Sequence, residues 1–143
     1  MAINQLSVFA ENKPGSLVEI TDVISKNDID MRAISIADTQ DFGILRIIVS
    51  DIEKAVKVLG ENGFITSINQ VAAVKISDEP GAMSKAIRVL YEKGINVEYL
   101  YAFIAASKKN AYVVLRVEDN AEAEKILTEN GFGIVTEEDI RKL

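Results

Sequence analysis

The sequence contains no cysteine and no histidine. The absence of cysteine excludes disulfides, thiolate metal sites and cysteine nucleophiles. The absence of histidine removes the commonest general base and the commonest metal ligand of proteins. The serines show no nucleophile-elbow spacing, and the glycines form no phosphate-binding loop. We therefore expect no catalytic residues, no metal site and no cofactor.

Basic residues are also outnumbered, with 16 Lys and Arg against 22 Asp and Glu, which gives a net charge of −6. Nucleic-acid binding relies on clustered Lys and Arg, so the excess of acidic residues argues against a nucleic-acid partner. The simplest explanation of the negative net charge is that it keeps the protein soluble. No uncharged apolar run of about 18 residues is present, so we expect no membrane partner. The first residues carry no basic region followed by an apolar core, which predicts a cytoplasmic protein.

The sequence does contain one pattern written twice. An apolar strand-like run, Leu6 to Ala10, precedes a Pro14-Gly15 pair, and a helical stripe follows over residues 16–26. The second copy has its Pro80-Gly81 pair 66 residues later, before a helical stripe over residues 83–93. Proline fixes φ and glycine permits unusual backbone angles, so each pair predicts a tight turn from strand to helix.

Each copy continues with a predicted hairpin, a second helix and a last strand. Ser50 and Glu53 form a capping-box pattern for the second helix of the first copy, and Asp119 caps its counterpart. The predicted strands cover residues 3–10, 29–37, 42–49 and 64–68, then 71–76, 95–105, 111–117 and 132–136. Polar turns at 38–41 and 107–110 separate the hairpin strands.

The order is therefore βαββαβ, repeated once. When the two copies are aligned with each other, Arg46 matches Arg116, and Asn62-Gly63-Phe64 matches Asn130-Gly131-Phe132. The pattern predicts an α+β protein of two ferredoxin-like units, at residues 1–69 and 70–143, with helices on one face of each antiparallel sheet. No flexible linker separates the halves, so we expect them to pack together. Their sheets are expected side by side only from the family resemblance given below.

Three aromatic residues alternate along one predicted strand: Tyr99, Tyr101 and Phe103. Alternation places them on the sheet face that the helices leave uncovered. Either the other half or a second chain covers this face, or it is a platform for a small molecule. Arg46 and Arg116 project from the same kind of face, where solvation or packing is favoured over a role as carboxylate clamps.

The turns are the best candidates for a binding site. A turn before a helix presents backbone N–H groups at the positive end of the helix dipole, which suits a carboxylate. Asn12 and Asp78 occupy corresponding turn positions, and Asp30 and Asn96 occupy corresponding strand positions, so an ammonium group also has acceptors. The alternative is that Asn12 and Asp78 only close the turns through bonds to backbone.

These residues resemble a known family. Each copy is similar to an ACT domain, and two copies cover the chain. The shared series is a strand, the motif Asn/Asp-x-Pro-Gly-x-Leu/Met, a helix, the run Ile29-Asp30-Met31 or Ile95-Asn96-Val97, and finally an Asn-Gly-Phe corner. The chain resembles free-standing tandem ACT-domain proteins. The resemblance implies a regulatory module that binds an amino acid or similar small molecule between ACT domains joined through their second strands.

The resemblance also implies site residues, a homodimer and a metabolic enzyme as partner. The predicted first set is Asn12, Lys13, Pro14, Gly15, Ser16 and Leu17 with Asp30 and Met31. The predicted second set is Asp78, Glu79, Pro80, Gly81, Ala82 and Met83 with Asn96 and Val97. Lys13 of the first turn corresponds to Glu79 of the second, so the two turns carry opposite charges there and two equivalent sites are not expected. The alternative function is an assembly subunit that docks on a metabolic enzyme without a ligand.

Overall fold

The computed structural model describes residues 2–38, 42–104 and 110–143, with Asp38 described by its backbone alone. The described chain divides into two compact units. The N-terminal unit is Asn4–Asn69, and the C-terminal unit is Gln70–Leu143 together with the first residues up to Ile3.

The N-terminal unit contains the first βαββαβ series. Its elements are β1 (Ile3–Glu11), α1 (Ser16–Lys26), β2 (Met31–Asp38), β3 (Phe42–Val49), α2 (Ile52–Glu61) and the first residues of β4 (Thr66–Ser77). β3 pairs antiparallel with β1 and β2, with Ile47 opposite Leu6 and Ile34. The Phe9 N–H donates to the Ile65 carbonyl at 3.0 Å, so the start of the last strand lies along the other edge of β1. This order of strands is ferredoxin-like.

One face of that sheet packs against both helices. On this face Leu6 and Val8 of β1 lie opposite Ile47 and Leu45 of β3, and each pair is spaced by two residues, the period of a strand. The helices contribute side chains at helical spacing, and the buried cluster contains Leu6, Val8, Ile20, Ile24, Leu45, Ile47, Ala55 and Leu59. The helices therefore lie on one face of the antiparallel sheet.

The C-terminal unit repeats the arrangement and adds one helix. Its elements are the remainder of β4, α3 (Ala82–Glu92), β5 (Tyr99–Ala102), β6 (Asn110–Arg116), α4 (Asn120–Glu129), β7 (Gly133–Ile134) and α5 (Glu137–Lys142). β6 pairs antiparallel with β4 and β5, and β7 pairs with β4. The buried cluster again joins one sheet face to the two longer helices, through Val74, Ala86, Leu90, Leu115, Ala123 and Leu127. The α+β prediction of two ferredoxin-like units is confirmed.

Two strand predictions merge in the structure. Residues 64–68 and 71–76 were expected as separate strands, but Thr66–Ser77 is one continuous strand of 12 residues. No proline or glycine interrupts that stretch, so the chain has no local reason to turn. The boundary expected between residues 69 and 70 therefore lies inside β4.

The predicted cap of α2 was wrong because Ser50 has a partner elsewhere in the unit, and one predicted strand is shorter than expected. Ser50 does not cap α2. Asp51 does, through a 3.1 Å bond from the Lys54 N–H, while the Ser50 hydroxyl accepts from the Asp30 N–H. The strand expected at 95–105 is regular only over Tyr99–Ala102, and Ala105 lies outside the described residues, as does most of both polar turns.

The strand register also corrects the alignment of the two copies. Arg46 lies opposite Ser7, whereas Arg116 lies opposite Tyr99. Since Leu6 pairs with Ile47 and Ala72 pairs with Leu115, the residue corresponding to Arg46 is Val114. The match of Arg46 with Arg116 was wrong by two residues.

Helix α5 was not predicted. The last strand was expected to run to Thr136, but β7 ends at Ile134 and Thr136 is the N-cap of α5. Within the described residues, no helix is long and apolar enough to cross a membrane.

Candidate ligand-binding site

The first Pro-Gly turn connects β1 to α1. Gly15 is the N-cap of α1 with φ of 93°, a left-handed conformation that side chains with a Cβ rarely adopt. The Ser16 N–H bonds the Lys13 carbonyl at 3.3 Å, and the Glu19 N–H bonds the Gly15 carbonyl at 3.0 Å. Gly15 provides no side-chain cap to α1, and the first N–H groups of a helix have no partner within the helix, so backbone donors of this kind suit a ligand.

The second turn has the same geometry. Gly81 is the N-cap of α3 with φ of 88°, and the Lys85 N–H bonds the Gly81 carbonyl at 3.0 Å. Gly81 likewise provides no side-chain cap to α3. Asn12, Pro14, Asp78 and Pro80 are all exposed in their turns. The sequence therefore identified a backbone feature that both units share.

The side chains of the two turns differ in charge and packing. Lys13 Nζ lies 3.0 Å from Glu11 Oε2, and this hydrogen bond, with the charge of Glu11, raises the pKa of Lys13 above its ordinary value. Glu79 takes the place of Lys13 in the second turn. Leu17 is exposed, whereas Met83 packs in part against the core of its unit. The two turns are chemically different, as expected.

The predicted second-strand residues lie at the start of β2 and before β5. The Asp30 N–H and carbonyl both bond to Ser50, and the Asp30 carboxylate is paired with Arg32. Met31 packs in part against the N-terminal core, and Val97 does the same in the C-terminal unit. Asn96 is exposed. A ligand ammonium at Asp30 has to share that carboxylate with Arg32.

Within one unit, the turn and the second-strand residues do not come together. Glu11, at the end of β1, lies opposite Phe42, while Met31 lies opposite Val49. These positions are seven residues apart along β3, or about 23 Å. In the C-terminal unit, Ser77 lies opposite Asn110 and Tyr99 opposite Arg116, six residues or about 20 Å apart. Neither unit can therefore form the whole predicted site from its own residues.

The aromatic face of β5 is not an open platform. Tyr101 lies opposite Val114, on the face away from the helices, as predicted. However, Tyr101 and Phe103 are each only 8% exposed, so the chain itself buries both rings. Phe103 meets Tyr112 edge to face, with ring centroids 5.8 Å apart. Neither a small molecule nor a second chain is needed to cover these two side chains.

Arg116 is held by neighbours within its unit. Its Nε lies 3.5 Å from Glu98 Oε2, and its Nη1 donates to the Gln70 carbonyl at 3.3 Å. A cavity of about 950 Å³ beside it is lined mainly by acidic and amide side chains, among them Asn96, Glu118 and Glu122. This environment does not favour the capture of a carboxylate, in line with the preference stated from the sequence.

A smaller cleft, which sequence reasoning missed, lies beside the first turn. Its volume is about 290 Å³, and it lies between the turn, the end of β1 and the corner that follows α2. It brings together Lys13 and Ser16 with three aromatic residues that were not predicted as site residues: Phe9, Phe42 and Phe64. Its one sequence signal is Phe9, which alternation places on the same face as the polar Ser7.

A model of the ACT domain pair matches residues 1–143 of this chain. The chain belongs to the ACT domain family. No match was found among curated proteins. The described residues of the ACT domain pair contain no group of three or more acidic side chains that could hold a metal ion.

Solved structures share the fold of this ACT domain pair. Protein BT0572 from Bacteroides thetaiotaomicron is 38% identical, with a TM-score of 0.91 over 100% of this ACT domain pair and 98% of that chain. The ligand-free regulatory subunit of aspartate kinase from Thermus thermophilus is 16% identical, with a TM-score of 0.66 over 90% of this chain and 92% of that one. The subunit from Thermus flavus is 17% identical, with a TM-score of 0.59 over 88% and 90%. The two subunits show that the ACT domain pair shares their fold.

Proposed function

We propose that this ACT domain pair is a non-catalytic regulatory protein that binds an amino acid or a similar small molecule. The observation that carries the proposal is the repeated turn, in which Gly15 and Gly81 are exposed and begin their helices without a side-chain cap of their own. A helix start with free N–H groups favours a carboxylate, which every free amino acid has. The protein acts in the cytoplasm by changing its contacts with a metabolic enzyme.

The two ACT domains are proposed to be residues 1–69 and residues 70–143. The ligand site is proposed to lie between ACT domains and to use the turn of one domain with the second strand of another. The separation of about 20 Å within each unit supports this arrangement, because one domain alone cannot supply both parts. A homodimer supplies further pairs of domains. The proposed residues are Asn12, Lys13, Pro14, Gly15, Ser16, Leu17, Asp30, Met31, Asp78, Glu79, Pro80, Gly81, Ala82, Met83, Asn96 and Val97.

The two sites are proposed to differ in affinity. Lys13 adds a positive charge beside one turn, while Glu79 adds a negative charge beside the other, and a ligand carboxylate favours the first. On the strand side, Asp30 is negative and Asn96 neutral, so a ligand ammonium favours Asp30.

Thermal unfolding in the presence of each of the twenty amino acids tests the proposal. A ligand present at about 100 times its dissociation constant stabilises the folded protein by about 2.7 kcal/mol. Asp30→Asn and Gly15→Val are expected to reduce the ligand-induced shift, whereas the exposed Asp22→Asn on α1 serves as the control. No shift with any amino acid at millimolar concentration contradicts the proposal.

A further inference from the structure

The cleft beside the first turn has an unusually apolar wall for a surface site. Phe9 is 46% exposed, Phe42 is 59% exposed and Ile65 is 69% exposed, and all three line it. Phe64, which packs in part against the core, completes the wall. Large apolar side chains that are grouped and exposed mark binding sites more often than single exposed ones do.

The opposite side of the cleft is polar and carries both charges. It contains the Lys13 ammonium group, the carboxylates of Glu11 and Glu19, and the Ser16 hydroxyl. Ser16 is 7% exposed as a whole residue and is the first residue of α1. A hydroxyl and an ammonium group that line one cleft can both donate hydrogen bonds to a carboxylate.

The corresponding place in the C-terminal unit is filled by the chain itself. Lys75 and Gly133 take the places of Phe9 and Ile65, and the Lys75 methylenes lie over Gly133, where an added Cβ would be 3.2 Å from Lys75 Cδ. The Lys75 ammonium lies 3.4 Å from Asp139 Oδ2 of α5 and 5.8 Å from the centre of the Tyr112 ring. The second copy therefore provides its own apolar stem and charged partners.

We propose that the open cleft of the N-terminal unit is a second small-molecule site, for a compact molecule with an apolar body and a carboxylate group. The apolar body lies against Phe9, Phe42 and Ile65, and the carboxylate bonds Lys13 and the Ser16 hydroxyl. The volume of about 290 Å³ is at the lower end of small-molecule sites, which suits a molecule the size of leucine or phenylalanine.

The carboxylates of Glu11 and Glu19 can distinguish between two classes of ligand that share an apolar body and a carboxylate group. An amino acid carries an ammonium group that either carboxylate can accept, whereas a 2-oxo acid with the same body does not. The cleft shares Lys13 and Ser16 with the site between ACT domains, but it uses neither Asp30 nor a second domain. Its occupation can therefore be tested apart from the proposed function.

Isothermal titration of the full chain with L-leucine, L-phenylalanine and 4-methyl-2-oxopentanoate tests the proposal. Saturable binding of at least one of them is expected. Ile65→Arg and Lys13→Gln should each weaken it by about tenfold or more, because one removes apolar contact and the other removes a charged hydrogen bond. Ile68→Arg, at a 50% exposed isoleucine of β4 outside the cleft, is the matched control.

Each result has a distinct meaning. A preference of about tenfold or more for L-leucine over the 2-oxo acid identifies an amino acid as the ligand, and equal binding shows that the carboxylate and apolar body suffice. The proposal is overturned if none of the three binds, or if Ile65→Arg binds as the unmodified protein does. Binding that survives Ile65→Arg but is lost in Asp30→Asn assigns the ligand to the site between ACT domains. A change of oligomeric state in Ile65→Arg, without any ligand binding in the unmodified protein, shows that a protein surface covers the cleft instead.

Discussion

The ammonium group of Lys75 lies 3.4 Å from Asp139 Oδ2, so an ion pair connects β4 to α5 within the C-terminal unit. Asp139 also completes the capping box of α5. Its N–H donates to the Thr136 hydroxyl at 3.1 Å, and its carboxylate accepts from the Thr136 N–H at 2.9 Å. The bond from the Thr136 backbone is the main cause that lowers the pKa of Asp139 below its ordinary value of 3.8, and Lys75 adds to the effect.

Acid should therefore weaken the attachment of α5. Because the pKa of Asp139 is lower in the folded state, its contribution to stability is complete above the unfolded pKa and is lost as the pH falls through 3.8 towards the folded pKa. Asp139→Asn should lower the free energy of unfolding by about 1 kcal/mol at pH 7 and by much less at pH 2. Asp22→Asn, at an exposed aspartate of α1, is the control in urea titrations at both pH values. An equal loss for Asp139→Asn at both would contradict the assignment.

Alanine at either turn glycine should destabilise the fold. Gly15 and Gly81 have φ of 93° and 88°, which costs a residue with a Cβ about 1–2 kcal/mol. Gly60→Ala is the matched control, because Gly60 lies inside α2 with open space around its Cβ position. There alanine should stabilise by about 0.5–1 kcal/mol. Denaturant unfolding of the three variants measures the difference, and a loss of stability in Gly60→Ala would contradict this reasoning.

Hydrogen exchange can separate the roles of Ser50 and Asp51. Asp51→Ala removes the bond to the Lys54 N–H, so that amide should exchange faster and the protein should lose about 1 kcal/mol of stability. Ser50→Ala removes the acceptor of the Asp30 N–H instead, so exchange should rise at Asp30 and not at Lys54. Faster exchange at Lys54 in Ser50→Ala would restore Ser50 as the cap.

The burial of Tyr101 predicts a large effect on stability and none on assembly. With 8% of its surface exposed, Tyr101→Ala should lower the free energy of unfolding by about 3 kcal/mol or more. Tyr91→Ala, at a tyrosine that is 72% exposed, should change it by less than about 0.5 kcal/mol. Sedimentation of Tyr101→Ala should match that of the unmodified protein. A changed oligomeric state without destabilisation would mean that this face docks on another chain.

Sequence patterns predicted the fold because most of the chain has strong local signals. α1 was predicted at its observed bounds, since the turn before it and the apolar spacing of Ile20 and Ile24 agree. Asp119 was the predicted and the observed cap of α4. The resemblance to the ACT family rested on these same elements and is confirmed by the family match.

The failures occurred where a local signal has two physical readings. Ser50 and Asp51 are both good caps, and only the register of β2 against β3 gives Ser50 another partner. The six residues of α5 bury a single apolar residue, Ile140, so periodicity has too little to detect. Its Thr136 to Asp139 capping pattern was the available signal. The cleft was missed because the exposure of Phe9, Phe42 and Ile65 depends on packing, which composition does not determine.

The continuous strand β4 limits where additional structure can be inserted between the two repeats. In the C-terminal unit, the chain leaves β7 and begins α5. The corresponding position of the N-terminal unit lies within the 12 residues of β4. An insertion there would break the ladder that serves the following unit. An additional helix after the last strand is therefore compatible with the second repeat but not with the first, whose last strand continues into the following unit.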